Sequence, residues 1–315
     1  MGHDGNDLFQ RRYGCHAVQH QCHTRVIVHA QYFQRMLRCA DMRTVELAGT
    51  HLSSSRLGFG LSSLHHVLRS KDRQTLLAAA HDSGIRYFDS SPYYGHGLAE
   101  RELGLFATVR RDQMLIATKF GILPDPWQRR FPALMYSRLA ANAALRRITG
   151  RNTLILRQNR DYTGSNAVKS LDQSLRALRT DHVDILYLHE PVLALLNNAE
   201  DLIDILQGLQ TSGKIRYFGL SGAAPECIDI TCRHPALRSV LQVDASRGMD
   251  DLHLLNAAST PFHATFGHFR DKASPIRELL ASAVAANPHG VILFSARSAE
   301  RIFAMTRLLA SLETP

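Results

Sequence analysis

The chain has 315 residues, 45% of them hydrophobic, and a formal net charge of +9. That length holds one large α/β domain, since single barrels of about 250 residues are typical, and a second full domain is not expected. The basic balance would admit a nucleic-acid or membrane-surface partner. The Lys and Arg residues are scattered without interleaved aromatics, however, and no apolar run reaches transmembrane length, so neither nucleic acid nor membrane is expected as a partner.

Residues 1–41 are rich in His, Gln, Arg and Cys and show neither apolar periodicity nor a secretory apolar segment. They read as an N-terminal extension, expected to be disordered, or as an upstream in-frame extension of a protein that begins at Met42. Cys15-His16, His20, Cys22-His23 and His29 fit no standard zinc spacing, and no metal is expected. The five cysteines, at 15, 22, 39, 227 and 232, form no disulfide framework, which points to a reduced, cytoplasmic setting.

From Met42 onward, apolar strand-like runs alternate with helical patterns, and this predicts parallel βα units over 42–315. A short hairpin is predicted over Thr44–Leu52. Strands follow at Arg56–Gly60, Ile85–Ser90, Met114–Phe120, Val183–His189, Ile215–Ser221, Val240–Asp244, Phe262–Phe266 and Gly290–Ser295. These close a single (β/α)8 TIM barrel. Helical spacing of apolar residues is clear in Thr75, Leu76, Ala79, Ala80 and in Leu171, Leu175, Leu178. The stretch from Leu123 to Gly164 is long and Arg-rich, and reads as an insertion after the third barrel strand, lying over the cleft. Its Trp127, Phe131 and Tyr136 are candidates for substrate contact or for surface packing.

Three strand ends carry ionisable residues. In Arg86-Tyr-Phe-Asp-Ser-Ser-Pro-Tyr-Tyr-Gly95 an apolar strand ends at Asp89, the Ser, Pro and Gly residues break it, and Tyr94 follows five residues after the aspartate. Met-Leu-Ile-Ala-Thr-Lys119 and Val-Asp-Ile-Leu-Tyr-Leu-His189 end in the same way. A lone His or Lys after a strand is more often structural or solvated. Four such groups at C-terminal strand ends, where barrels keep their chemistry, form a candidate catalytic set. A phenol near pKa 10 needs a neighbouring cation to act as an acid at neutral pH, which Lys119 would supply, while Asp89 would keep that ammonium charged and His189 would face the substrate oxygen.

The order and context of these residues resemble the aldo-keto reductase family. Asp89-Ser-Ser-Pro-Tyr-Tyr-Gly95 is similar to its Asp-Thr-Ala-x-x-Tyr-Gly, GLAERELG to its Ser-Glu-x-x-(Leu/Ile)-Gly helix, ATKFG to its Thr-Lys strand, SLRALRTDHVDILYLHEP to its helix and His strand, and GKIRYFGLS to its Gly-Lys-(Ile/Val)-Arg strand. The likeness runs from about Met42 to about Leu308 and is nearest the sugar and small-aldehyde dehydrogenase branch. It implies an NADP-dependent oxidoreductase interconverting an aldehyde, ketone or sugar carbonyl with the alcohol, with Tyr94 as general acid/base; a non-catalytic, nucleotide-binding regulatory or scaffold barrel of the same ancestry is the alternative.

The resemblance also implies a nicotinamide site. Ser221 and Gln242 match the family's carboxamide partners, and Phe266 stands roughly where an aromatic stacks on the nicotinamide, a position equally open to core packing. Ser295, Arg297, Ser298 and Arg301 in SARSAER resemble its 2′-phosphate site, which favours NADP(H) over NAD(H). Gly222 replaces the expected asparagine, a loss of about 0.5–1.5 kcal/mol of hydrogen bonding. The stretch between Gln242 and Ser295 is shorter than in the family and lacks its pyrophosphate-covering loop, which implies either weak cofactor affinity or that Gly267-His268-Phe269-Arg270 does part of that work, with Arg270 pairing to phosphate.

Overall fold

The computed structural model describes residues 42–149, 158–246, 252, 254–255, 261–271 and 273–313. The N-terminal extension, with the Cys and His residues singled out in it, lies outside the described residues.

The chain first makes an antiparallel hairpin, β1 (Thr44–Glu46) with β2 (Ser53–Ser55), Thr44 lying opposite Ser55. The return strand falls just past the predicted hairpin because Ser53, Ser54 and Ser55 carry little strand signal of their own. Eight parallel strands follow: β3 (Leu57–Gly60), β4 (Tyr87–Asp89), β5 (Leu115–Phe120), β6 (Val183–His189), β7 (Ile215–Ala223), β8 (Val240–Asp244), β9 (Ala264–Phe266) and β10 (Val291–Phe294). They close into a barrel through β10 against β3, with Ile292 opposite Leu57. Seven of them fall inside the predicted segments, and β7 runs on to Ala223.

Around the barrel lie α1 (Ser70–Asp82), α2 (Leu98–Ala107), α3 (Pro126–Arg130), α4 (Pro132–Thr149), α5 (Gly164–Leu178), α6 (Ala199–Thr211), α7 (Ala224–Arg233), α8 (Ile276–Ala286) and α9 (Ala299–Glu313). On α1 the buried apolar side chains are Leu76, Leu77, Ala79 and Ala80, while Thr75 points outward and donates to Lys71 O. On α5, Leu171, Leu175 and Leu178 are buried as their spacing predicts, and the Thr163 hydroxyl accepts the Asn166 N–H at the helix start. Among the described residues the insertion forms two helices, α3 and α4. Asp125 caps α3 by accepting from Trp127 N and Gln128 N at 2.9 and 3.0 Å, and Pro126 fits the first helical position because its missing N–H would have gone unpaired.

Apolar burial divides into two regions. One lies between strands and helices, and the other fills the barrel lumen with Tyr87, Leu115, Ala117, Ile185, Tyr187, Val240 and Leu293, closed from below by Val45, Leu47 and Leu52 of the hairpin segment. Full burial of a leucine in either region stabilises the fold by about 1.5–3 kcal/mol. The hairpin is pinned by His263, whose Nδ1 accepts from Leu241 N at 3.0 Å, so that Nε2 donates to Ala48 O at 2.7 Å. Beside it the fully buried Arg56 donates to Gly290 O and, at 3.2 Å, to Val284 O, with its Nε 3.5 Å from Glu313 Oε1 at the end of α9.

The second glycine in GLAERELG has a packing reason. A Cβ at Gly104 on α2 would sit 2.3 Å from Ala177 O and 2.7 Å from Leu178 Cα on α5, so the two helices touch backbone to side-chain-free backbone. Gly104→Ala gains up to about 1 kcal/mol of helix propensity and loses more to this clash. The expected net destabilisation is about 1–3 kcal/mol, read as a lower denaturant midpoint with unchanged slope.

Candidate active site

The C-terminal ends of the strands bring the predicted catalytic set together. Asp89 ends β4 and pairs in register with Ala117, two residues before Lys119 on the neighbouring β5. Alternation then points Lys119 to the same side as Ala117, into the barrel mouth. Its ammonium lies 2.6 Å from both Asp89 oxygens, 3.1 Å from Ser90 O and 3.1 Å from the Tyr94 hydroxyl. Tyr94 reaches this position through a tight turn: its N–H bonds to Ser91 O at 3.0 Å, and Gly95, His96 and Gly97 take left-handed φ values of 58°, 51° and 88°. Glycine is favoured at the first of these because a Cβ there would also meet His65 Cβ at 2.8 Å.

Three further strands complete the cluster. Gln242 on β8 donates from Nε2 to Asp89 Oδ1 at 2.8 Å, and the Ser221 hydroxyl on β7 donates to Gln242 Oε1. His189 on β6 stands edge-on to Tyr94 with ring centroids 5.6 Å apart. Its Nδ1 is 3.2 Å from Ser91 Oγ, which itself accepts the Tyr93 N–H. The serine hydrogen is free to donate to Nδ1, an arrangement in which the imidazole proton sits on Nε2.

Burial sets the protonation states. It pushes His189 well below its usual 6.5, and the Lys119 and Arg160 charges push the same way, so the ring is neutral at neutral pH. Burial also works against the charge of Lys119, but Asp89 and Tyr94 outweigh it and the ammonium is held above its usual value. For Tyr94 burial wins. It raises the phenol above 10 against the opposing pull of Lys119, so the cation offsets only part of the desolvation.

A cavity of about 370 Å³ opens over this cluster. Asp89, Tyr94, His189, Ser221, Gln242, Phe266, Arg270 and Ser295 line it among the predicted residues, with Tyr93, Glu190 and Phe269 added. Arg297, Ser298 and Arg301 stand outside that lining, where the chain enters α9, and both arginines are exposed. Arg270 is engaged with the protein itself, 3.4 Å from Asp244 Oδ2 and 3.0 Å from Ser246 Oγ. Where the resemblance leads one to expect asparagine, a Cβ on Gly222 would meet Pro191 Cδ at 3.1 Å, so Pro191 stands close to where that side chain would begin. Trp127 and Phe131 stack on each other, 6.4 Å between centroids, and Tyr136 bonds to Arg73 on α1; none of the three lines the cavity.

Sequence reasoning missed Ser91, Arg160 and Glu190. Ser91 lies within the motif itself, but its bond to His189 spans 98 residues. Glu190 follows the candidate histidine directly, and Arg160 returns beside Ile122 at the end of β5 in a bridge that no local pattern signals.

A family model described as Aldo/keto reductase family matches residues 56–246. The chain belongs to the aldo-keto reductase family. The match ends at residue 246, a few residues into the stretch after Gln242, and is narrower than the span of the motif resemblance. A D-threo-aldose 1-dehydrogenase of a Pseudomonas species is 28% identical over 202 residues, covering 62% of this chain and 58% of that protein. L-galactose dehydrogenase of Arabidopsis thaliana is 30% identical over 183 residues, covering 56% of this chain and 47% of that protein. The chain thus spans about half the length of the curated relatives it matches. Among solved structures, an aldo-keto reductase of Bacillus halodurans in its holo form superposes with TM-score 0.67 at 18% identity, over 87% of this chain and 92% of that one. One from Klebsiella pneumoniae in complex with NADPH gives 0.60 at 19%, over 85% and 90%. These confirm the barrel fold.

The buried ion pair gives a direct test. Lys119→Met leaves Asp89 buried without its counter-ion and should cost about 3–5 kcal/mol by urea unfolding. The double change Asp89→Leu/Lys119→Met, which removes both charges, should cost less than the sum of the two single changes.

Proposed function

We propose that this barrel is an NADP-dependent oxidoreductase that interconverts a carbonyl and its alcohol, with an aldehyde, ketone or sugar as substrate. The observation that carries the reading is the Tyr94 hydroxyl, held 3.1 Å from a buried ammonium on the wall of a cavity it shares with neutral His189. The names of two matched relatives, an aldose dehydrogenase and a galactose dehydrogenase, support a sugar or simple carbonyl substrate.

Tyr94 is the general acid in reduction and the general base in oxidation. Its proton passes to the developing alkoxide oxygen while Lys119 stabilises the phenolate left behind. A neutral His189 with hydrogen on Nε2 can donate to the same oxygen and orient it, and Asp89 holds the ammonium in place without taking part in the transfer. A bound nicotinamide would supply or accept the hydride at the substrate carbon. The cavity's own polar groups suit such a ring: Ser221 and Gln242 present a hydroxyl and an amide for a carboxamide, and Phe266 adds an aromatic wall. Arg297, Ser298 and Arg301 at the entry to α9 would take the 2′-phosphate, where paired guanidinium donors and a helix N-terminus favour an anion, hence NADP over NAD. The reading includes a reduced cytoplasmic setting and an N-terminal extension that takes no part in catalysis.

The alternative, a nucleotide-holding barrel without turnover, draws on Gly222 and on the engagement of Arg270 with Asp244, which reduce the side chains free to grip a cofactor. Titration with NADPH and NADH, followed by a carbonyl screen, separates the two: tight binding without turnover favours the alternative. Tyr94→Phe should lower reduction by at least about 10²–10⁴-fold with NADPH binding within a few-fold of wild type; retained reduction would exclude Tyr94 as proton donor. A phenol raised above 10 keeps its proton throughout the neutral range. Reduction should therefore show no titration of this group between about pH 6 and 9, while alcohol oxidation, which needs the deprotonated form, should climb with pH through that range.

A further inference from the structure

Glu190 is the one residue between His189 and Pro191, and its backbone is in the left-handed region at φ 45°. Such a conformation costs a non-glycine residue of the order of 1–3 kcal/mol and persists only where the surroundings over-determine it. Here they do. The Glu190 N–H bonds to Ser221 O at 2.7 Å, and its carbonyl accepts from the Tyr162 hydroxyl at 2.7 Å and from Arg160 Nη1 at 3.0 Å. The side chain is gripped as well, with Arg160 Nη2 2.9 Å from Oε2. The same guanidinium nitrogen donates to Gln158 Oε1 at 3.0 Å, and Gln158 Nε2 reaches the Tyr93 hydroxyl at 3.4 Å. A continuous polar chain from Tyr93 through Gln158 and Arg160 to Glu190 thus borders the cavity, which both end residues line.

The chain ends in two unused hydrogen-bonding functions. Arg160 takes Oε2, and among the described residues Oε1 has no protein partner. Tyr93 OH accepts from Gln158 and keeps its own hydrogen to give. One acceptor and one donor beside the proton-transfer groups suit a substrate whose reacting carbon is flanked by hydroxyls. An apolar group in that place would desolvate the carboxylate without replacing its water.

We propose that Glu190, fixed by Arg160 and paired across the rim with Tyr93, reads hydroxyl groups adjacent to the reacting carbon and so selects aldoses over aldehydes that lack them. This rests on the oxidoreductase reading and narrows its substrate class. Glu190 is a specificity-determining group; Arg160 and Gln158 are positioning residues that act through it.

The test compares kcat/KM for an unmodified aldose with that for butyraldehyde, using NADPH, in wild type and in Glu190→Gln and Arg160→Gln. The aldose-to-butyraldehyde ratio should fall about 10–100-fold in Glu190→Gln, carried by KM for the sugar, and by a smaller factor in Arg160→Gln, a split that a merely structural role would not produce. A ratio within twofold of wild type in Glu190→Gln overturns the assignment. Calorimetric binding of the corresponding alditol to NADPH-saturated protein gives a readout that needs no turnover. Weaker alditol binding in the variant supports the rim, and equal binding overturns it. A wild type that binds the alditol but turns over neither carbonyl would sink the Tyr94 chemistry and leave the rim in place.

Discussion

The ion pair between Asp89 and Lys119 is the constraint on which the rest of the site depends. Both side chains are almost fully withdrawn from water, where an unpaired charge would be prohibitive, and each makes the other tolerable. The parallel register of β4 and β5 sets them side by side, and the other groups of the cluster, His189 on Ser91 excepted, attach to one of the two. Tyr94 and Ser90 O take the remaining hydrogen-bonding capacity of the ammonium, while Gln242 and, through it, Ser221 attach to the carboxylate. One electrostatic commitment in the barrel mouth thus orders residues from four strands.

Burial around that pair is not uniform in its effects. It neutralises His189 and holds the Tyr94 proton in place, yet leaves Lys119 charged because the carboxylate is in contact. The site therefore contains a fixed cation flanked by two neutral donors. That is a suitable surround for an oxygen that gains negative charge, since the dipoles and the charge are in place before any charge develops. The residue types alone lead one to expect Lys119 to lower the Tyr94 phenol. The direction of that interaction holds, but desolvation exceeds it, and the balance depends on packing that no motif encodes.

Legibility follows the range of the interactions. β6 is readable because Ile185-Leu-Tyr-Leu188 is an uninterrupted apolar run with Pro191 soon after it, and α5 because Leu171, Leu175 and Leu178 share a face. The helices of the insertion read as a loop, since Pro124, Pro126 and Pro132 interrupt its periodicity; yet Asp125-Pro126 is a local helix start that the structure uses as such. Asp89, Tyr94, Lys119 and His189 can be found because each stands at a strand end in recognisable text. The partners of Arg270, and the chain from Tyr93 to Glu190, cannot. They join residues of separate loops at the ends of neighbouring strands, and Arg270 has the same sequence context whether it faces a phosphate or Asp244.

Closure itself has a consequence in time. The seam of the barrel is the pairing of β10 with β3, which joins Phe294 to Phe59 and Ile292 to Leu57 across most of the barrel's sequence, with Arg56 bound to Gly290 O and Glu313 beneath it. Contacts of such separation form late, because the entropy of closing the long intervening chain must be met before they return anything. During synthesis from the N-terminus, β3 would therefore emerge with one hydrogen-bonding edge bare and keep it so until nearly the last strand had left the ribosome. An apolar strand edge left bare in this way, here Leu57-Gly-Phe-Gly60, is a template for pairing with another chain while the protein is being made.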